Sequence, residues 1–513
     1  MKSKRSGILD IGSNSIRLVI YEQIGPHAHR VIDESKQSAR LSGKVEPDGS
    51  IPLDKLDAVI RTLNDFQLLS RLHGVESIRA VATAAIRNAA NSRDIVDHLE
   101  QRTGLTIEVL SGQEEARIGF LGMINTFDIQ DGFVIDIGGG STEISIFSGR
   151  RLRHSVSLPF GAVNMAQRFN DADGCIGEDE AAALRALVER TLAAETWLRR
   201  AADAALPLIG LGGTIRSLCK IDQKRRKYAW DTAHNYEMSA EAMDELVQWL
   251  PTLPAEKRKK VDGLSGDRSD IIAAGLLILH TVFNYIGASH YLVSGAGLRD
   301  GLFFETEYPD TPIVPDVLDY SVRNLLALHP SVPMPHVEQV HRLATRLFDD
   351  MGLHRMFGDR ARRYIQTAAL LYRIGVTVHY YSYYKHTFYV MAHSRIDGLS
   401  HRETLLCALI ASYKSRNRSR QLLLPYKELL GGTDLLMIDR LGSLLRLAIA
   451  LDRSETQPIR ELQARYGAKM TLELRWECAH TPLIEVRELE QVQKELFKAW
   501  GLRLKVTDAT AST

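Results

Sequence analysis

Two short stretches of this chain carry the residue types that handle phosphate. Asp10-Ile11-Gly12-Ser13-Asn14-Ser15 and Asp136-Ile137-Gly138-Gly139-Gly140-Ser141-Thr142 each set an aspartate, then glycines and hydroxyls, between two β-rich runs. Glycine at such a turn lets backbone N–H groups approach an anion that bulkier side chains would hold off. Ser13, Ser15, Ser141 and Thr142 add hydroxyl donors. One loop of this kind is an ordinary tight hairpin. Two in equivalent places, facing each other across a cleft, would clamp a run of phosphates from both sides.

Each aspartate ends a strand just before its loop. A carboxylate there can bind Mg²⁺, directly or through water, and the metal then neutralises phosphate oxygens. Asp136 suits that role, and Glu143, on the returning strand, reaches the same ion. For Asp10 a turn-capping role stands level with metal binding.

Hydrolysis also needs a group that orients and deprotonates water. Glu114 and Glu115 follow Ser111-Gly112 at a predicted strand-to-helix junction, where α/β folds place ligand sites. Acidic residues also suit a first helical turn because they complement its dipole. Neighbouring glutamates on a helix point about 100° apart, so one can face a cleft while the other faces solvent. Arg87 also follows a strand and offers a planar fork to a phosphate oxygen, with a plain surface arginine as the competing reading. Two apolar runs end in glycine turns, Leu208 to Thr214 and Tyr291 to Gly297. The first adds Gly212, Gly213 and Thr214 as phosphate-binding candidates.

The elements that must hold these residues read as an α/β chain. Gly7 to Tyr21 reads as strand, turn, strand. A helix over Leu53 to His73, a strand over Ser77 to Ala82, a helix near Ser92 to Thr103 and a strand over Thr106 to Leu110 follow. Strands alternating with helices define this class. At Gly132 the strand–turn–strand pattern restarts, so the chain reads as two halves, 1–125 and 126–307. Pro309, Pro312 and Pro315 mark a linker. Residues 316–453 read as a helical domain; Leu318, Val322 and Leu325 recur as one helix face requires. A small α+β domain over 454–508 closes the reading, with strands at Met470 to Trp476, Leu483 to Leu489 and Leu502 to Val506, the last two separated by a helix.

Composition excludes several classes. The chain has 513 residues, 45% hydrophobic and 25% charged, with net charge +1: a globular profile in which global charge does not announce a polyanion partner. Four scattered cysteines without a CxxC pair argue against a zinc site or a disulfide framework and fit a reducing compartment. The longest apolar stretch, Ile271 to Phe283, falls short of the roughly 20 residues of a membrane span. No membrane association and a cytoplasmic location are expected. Four local basic clusters stand out: Lys224 to Lys227, Lys257 to Lys260, Arg360/Arg362/Arg363 and Lys414/Arg416/Arg418/Arg420. They would suit a flexible polyanion. No specific nucleic-acid motif is visible.

Five motifs occur in an order that resembles the exopolyphosphatase and guanosine pentaphosphate phosphohydrolase (Ppx/GppA) family. They are Gly7-Ile8-Leu9-Asp10-Ile11-Gly12-Ser13-Asn14-Ser15, Val81 to Arg87, Leu110 to Arg117, Val134 to Glu143 and Gly210 to Arg216. The resemblance covers residues 7–307. It implies the duplicated actin-like, sugar-kinase-like (ASKHA) fold. It implies Glu115 as general base, with Asp136 and Glu143 assisting through metal and water. It also implies phosphate contacts from Ser13, Asn14, Ser15, Arg87 and Gly138 to Ser141. The expected activity is Mg²⁺-dependent, processive hydrolysis of terminal orthophosphate from inorganic polyphosphate, with K⁺ as a candidate stimulating ion. A pppGpp 5′-phosphohydrolase is the alternative; a kinase of the same fold and a non-catalytic phosphate sensor stand behind it. Homodimerisation is a family expectation.

The C-terminal half is similar to the helical His-Asp metal phosphohydrolase domain that longer family members carry, but its metal motif is degenerate. Where that motif has His-Asp, this chain reads Tyr372-Arg373. Tyr383-Tyr384-Lys385-His386 keeps one histidine of a His-rich run, and Lys414 stands where a histidine is usual. Tyrosine and protonated arginine do not suit divalent metals. No second metal-dependent active site is expected there; substrate binding or dimerisation is.

Overall fold

A computed structural model describes residues 4–25, 28–200 and 205–508. The chain divides into two compact units, Met1–Val317 and Leu318–Thr513.

In the first unit, β1 (Lys4–Ile11), β2 (Ser15–Gly25), β3 (Ala28–Ser38), β4 (Ser77–Ala82) and β5 (Ile107–Val109) form one sheet, in the order β3-β2-β1-β4-β5. A second sheet contains β6 (Gly132–Ile137), β7 (Thr142–Ser148), β8 (Arg151–Leu158), β9 (Leu208–Leu211), β10 (Tyr236–Met238) and β11 (Tyr291–Val293), in the order β10-β11-β9-β6-β7-β8. Reading from β8, the second sheet repeats the first, and β10 is added antiparallel on its β11 edge. In both, the first two strands form an antiparallel hairpin and the next strand joins parallel. The centres of β1 and β6 are apolar on both faces and buried, the pattern of strands covered from two sides. Each half packs its own apolar cluster. One is built on Leu9, Leu18, Leu63 and Ile95. The other is built on Phe133, Ile144, Leu184 and the greasy helix Ile272–Ile286. Among the described residues no helix is long and apolar enough to cross a membrane.

The last strand of each half feeds an equivalent helix: β5 leads to Gly112–Ile124, and β11 leads to Leu298–Glu307. These two helices pack backbone to backbone. A Cβ on Gly122 would sit 2.1 Å from the Gly297 carbonyl oxygen, and one on Gly301 would sit 1.9 Å from that of Ile118. Both openings are capped alike: Ser111 N–H donates to Glu114 at 2.8 Å, and Gly297 N–H donates to Asp300 at 2.9 Å.

The second unit is helical from Val317 to Ala450, then carries a sheet of β12 (Ile459–Gly467), β13 (Thr471–Cys478) and β14 (Arg503–Asp508). The strand expected at Leu483 to Leu489 is instead the start of a helix, Leu483–Trp500. Its buried positions, Glu485, Leu489, Val492 and Leu496, follow helical spacing. Topology explains the difference. β14 runs parallel to β13, and a parallel pair needs a crossover segment, which this helix supplies.

Candidate functional site

The two glycine loops are the same turn built twice. Gly12 N–H donates to the Ser15 carbonyl at 3.1 Å, and Gly138 N–H donates to that of Ser141 at 2.9 Å. The loops face each other: a Cβ on Gly139 would lie 2.9 Å from Ser13 Cβ, so glycine is what permits the approach. Between them is a cavity of about 150 Å³ lined by Asp10, Gly12, Ser13, Asn14, Ser15, Glu115, Asp136, Gly138, Gly139, Ser141, Glu143, Gly212 and Gly213. Residues expected from four separate motifs therefore share one cleft.

The Glu-Glu pair divides its duties. Glu114 is exposed and caps its helix, and the Ser111 N–H it accepts lowers its pKa. Glu115, one turn position on, enters the cleft and accepts from Arg87 Nη1 at 2.7 Å. Arg87 also donates to the Leu110 carbonyl at 3.0 Å and lies 4.0 Å from Glu143. Arg87 thus stands behind the cleft as a clamp on two carboxylates, not in the lining where a phosphate contact was expected.

Thr142 and Thr214 also depart from the expectation. The Thr142 hydroxyl is buried and donates to the Phe160 carbonyl at 2.7 Å. Thr214 is buried against Gly275 and meets Arg268 at 3.5 Å. Neither presents a hydroxyl to the cleft, because both are spent on holding the adjoining segments. Gly140 lies outside the lining, and its carbonyl accepts from Asn164. Gly212 and Gly213 serve mainly as clearance. Gly212 has φ +75°, and a Cβ there would stand 2.4 Å from Asp136 Oδ1; one on Gly213 would overlap the Arg268 guanidinium.

Four arginines complete the lining: Arg17, Arg216, Arg268 and Arg299. The sequence reading did not select them. Signals existed for three. Arg17 follows the first hairpin turn, Arg216 ends the Gly210 motif, and Arg299 follows the Gly295 turn. Arg268, at the end of the short 3-10 helix Gly266–Arg268, carries none. Arg299 Nη1 meets Asp10 at 3.3 Å, and Arg216 donates to the Gly212 carbonyl at 2.7 Å. Burial, with Arg299 and Arg17 close by, pulls Arg216 down to about 10. Arg268 Nε is buried without a hydrogen-bond partner. Crowded, desolvated cations with an orphaned donor are relieved by an anion placed among them.

The carboxylates are strained in the opposite sense. Burial raises Asp10, and Arg299 and Arg17 oppose it. Burial raises Asp136 as well. Glu143 accepts from Ser157 at 2.7 Å, yet burial and the nearby Asp136 push it up to about 7. Glu115 is raised well above the usual range by burial and by Glu143. All four offer hard oxygen donors, the kind Mg²⁺ prefers. Among the described residues no three His, Cys, Asp or Glu side chains are gathered to hold a metal. Mg²⁺ commonly takes one or two carboxylates plus substrate phosphates and water, so this donor set fits a metal that arrives with its phosphate.

The predicted basic clusters are consumed within the fold only in part. Arg360 pairs with Glu403, Arg362 with Asp349, Arg416 with Asp439 and Arg226 with Asp222. Arg258 is fully buried and donates to the backbone carbonyls of Leu253 and Ser269.

The sequence and the fold both find relatives among known proteins. The sequence matches the Ppx/GppA phosphatase family over residues 19–308 and Ppx/GppA phosphatase domain III over residues 317–493. A solved Ppx/GppA family member from Aquifex aeolicus is 27% identical; the match covers 60% of this chain and 99% of that one, with a TM-score of 0.51. An exopolyphosphatase from Cytophaga hutchinsonii is 21% identical over 61% of this chain and 100% of its own, with a TM-score of 0.55. The second likeness is one of fold alone.

Proposed function

The chain belongs to the Ppx/GppA phosphatase family, and from that premise we propose that it is an exopolyphosphatase, releasing terminal orthophosphate from inorganic polyphosphate with Mg²⁺. The observation that carries the choice of substrate is the lining of the cleft. It holds two glycine loops and four arginines, and no aromatic side chain. Its walls suit phosphates, and none offers a ring for a base to stack on. That weighs against guanosine pentaphosphate, the second reading, although the hydrolysis would be the same.

In this reading the terminal phosphate sits between the loops. Its oxygens meet the loop N–H groups, Arg216, Arg268 and Arg299. Glu115 takes a proton from a water as that water's oxygen bonds to the terminal phosphorus. The bridging P–O bond breaks, and a chain one phosphate shorter leaves. A carboxylate with a raised pKa is a better base near neutral pH than an ordinary one. Arg87 keeps Glu115 aimed. Asp136 and Glu143 would hold Mg²⁺, which supplies neutralisation of the phosphate oxygens; Asp10 is the further candidate, though its contact with Arg299 favours an anion-side role.

The test is phosphate release from long-chain polyphosphate and from pppGpp, with Mg²⁺, for wild type and Glu115→Ala. Release from polyphosphate that the variant lacks supports the reading. Preference for pppGpp would replace the substrate. Binding of both without release would make the chain a sensor.

A further inference from the structure

The second unit holds a cavity of about 350 Å³, at the lower end of the size range of small-molecule sites. Its lining is unlike that of the cleft. Residues 372–384 fold back as a tight arch: Thr387 donates its hydroxyl to the Tyr372 carbonyl at 2.8 Å, and a Cβ on Gly375 would lie 2.2 Å from the Tyr383 carbonyl oxygen. The arch crowds Tyr380, Tyr381, Tyr383 and Tyr384 around the opening. Tyr380 and Tyr381 are 61% and 75% exposed, a costly way to leave two aromatic rings unless something covers them.

Cations interleave with these rings. Lys414 Nζ lies 5.2 Å from the Tyr384 ring centroid, and the Arg373 guanidinium lies 5.3 Å from that of Tyr383. Arg446 donates to the Lys414 carbonyl at 2.8 Å, which brings the two charges to the same wall. Arg373 is paired with Glu455 at 3.0 Å. Lys414 and Arg446 have no carboxylate partner among the described residues. The floor is closed. His336 Nδ1 contacts Asp452 at 2.7 Å, and its Nε2 contacts the buried Tyr372 hydroxyl. Both ring nitrogens are committed, so His336 is no metal ligand here.

A flat ring and an anion on one small molecule would use both features together. We propose that this cavity binds a purine mononucleotide, its base stacked on the Tyr384 ring beside Tyr380 and Tyr381, whose rings stand edge to face, and its phosphate held by Lys414 and Arg446. An aromatic face stacks any base, and adjacent cations strengthen the contact. A phosphate takes charge-assisted hydrogen bonds from both cations. Bare phosphate would leave the rings unused, and an uncharged aromatic would leave the cations unused.

AMP and GMP are suitable probes because neither has a phosphoanhydride bond for the cleft to cleave. The full chain would be titrated calorimetrically with each, and with adenosine, guanosine and inorganic phosphate. At least one mononucleotide should bind at least tenfold more tightly than its nucleoside and than phosphate. Lys414→Ala and Tyr384→Ala should each weaken that binding about tenfold or more. Tyr384→Phe should retain it, as should Arg17→Ala in the cleft. Unfolding midpoints matched to wild type would show that the variants fold. The proposal is overturned if neither mononucleotide binds at millimolar concentration, if phosphate binds as tightly by a component that Lys414→Ala removes, or if Arg17→Ala rather than Lys414→Ala removes mononucleotide binding.

Discussion

The two phosphate-loop hairpins share a backbone and differ in the partner across the strand pair. Asp10 on β1 is registered with Arg17 on β2, whereas Asp136 on β6 is registered with Glu143 on β7. The same position on the same scaffold therefore carries opposite charge in the two halves. In the first half the aspartate is neutralised by Arg17 and Arg299. In the second it faces another carboxylate, and Glu115 stands beyond that one. Duplication supplies two anion-sized turns. The side chain opposite each aspartate then divides the labour, giving a cationic hairpin suited to gripping phosphate and an acidic one suited to metal and water.

The largest break in this comparison should come from the acidic side. Glu115→Gln keeps the shape and the Arg87 contact but cannot accept a proton from water. A general base contributes about 10²–10⁴-fold, so kcat on polyphosphate should fall by that range while KM changes little. Steady-state phosphate release reads both. A fall in kcat of less than tenfold would mean that some other group activates the water.

Arg17→Glu turns the first hairpin into a copy of the second. It removes one cation from a cleft that has four and adds a charge of the substrate's own sign. Charged hydrogen bonds are worth about 1.5–3 kcal/mol, so KM should rise roughly 10- to 100-fold, with kcat changed less. If kcat fell as far as in Glu115→Gln and KM held, the division between gripping and reacting halves would be wrong.

A smaller effect should follow at Gly212. Its left-handed φ of +75° costs a side-chain-bearing residue about 1–2 kcal/mol, and the added Cβ would press on Asp136. Gly212→Ala should therefore lower unfolding free energy by at least that amount in a urea titration. It should also lower kcat, because Asp136 must shift. Gly12→Ala, in the first hairpin, meets the Ser15 carbonyl at 3.0 Å and Asp10 Oδ1 at an ordinary 3.7 Å, without a positive φ, and should be milder on both counts.

The same contrast explains what could be read from residues alone. The hairpins and their repetition were legible, because Gly/Ser turns between β-rich runs are local signals. The place of Glu115 at the head of a helix was legible for the same reason, and so was the α/β alternation. Which glutamate entered the cleft depended on the Ser111 cap, which is a geometric fact. The arginines were hidden for a different reason. Arg17, Arg216, Arg268 and Arg299 come from four segments that meet only in the fold. Charge runs misled in the other direction. Arg360, Arg362 and Arg416 read as a cationic surface, but each is held by a carboxylate distant in sequence. The Leu483 to Leu489 alternation failed because a seven-residue window can satisfy both periods, and only the parallel β13–β14 pairing demands a helix there.

The finest test concerns protons. Glu115 must be ionised to accept one, and burial with the Glu143 charge nearby holds its pKa up. The acid limb of kcat/KM should therefore lie well above the ordinary glutamate range, with activity rising as pH rises through it. Glu143→Gln removes the neighbouring charge. At one fixed Mg²⁺ concentration, whatever activity remains should then show its acid limb at lower pH. Asp10→Asn, on the cationic hairpin, should move the midpoint less, since Asp10 is not among the main groups that hold the Glu115 pKa up. Stability should move consistently. Glu143 titrates near 7 in the fold and near 4.5 when unfolded. Between those values the folded chain binds more protons, so this group's contribution is fully present below pH 4.5 and is lost as pH rises through 7. In metal-free buffer the Gln variant should show a shallower fall in unfolding free energy across that window. Parallel slopes for wild type and variant would mean that burial and Asp136 do not hold Glu143 up; an acid limb that does not move would mean that Glu143 exerts no charge on Glu115, and the two hairpins would then differ in grip alone.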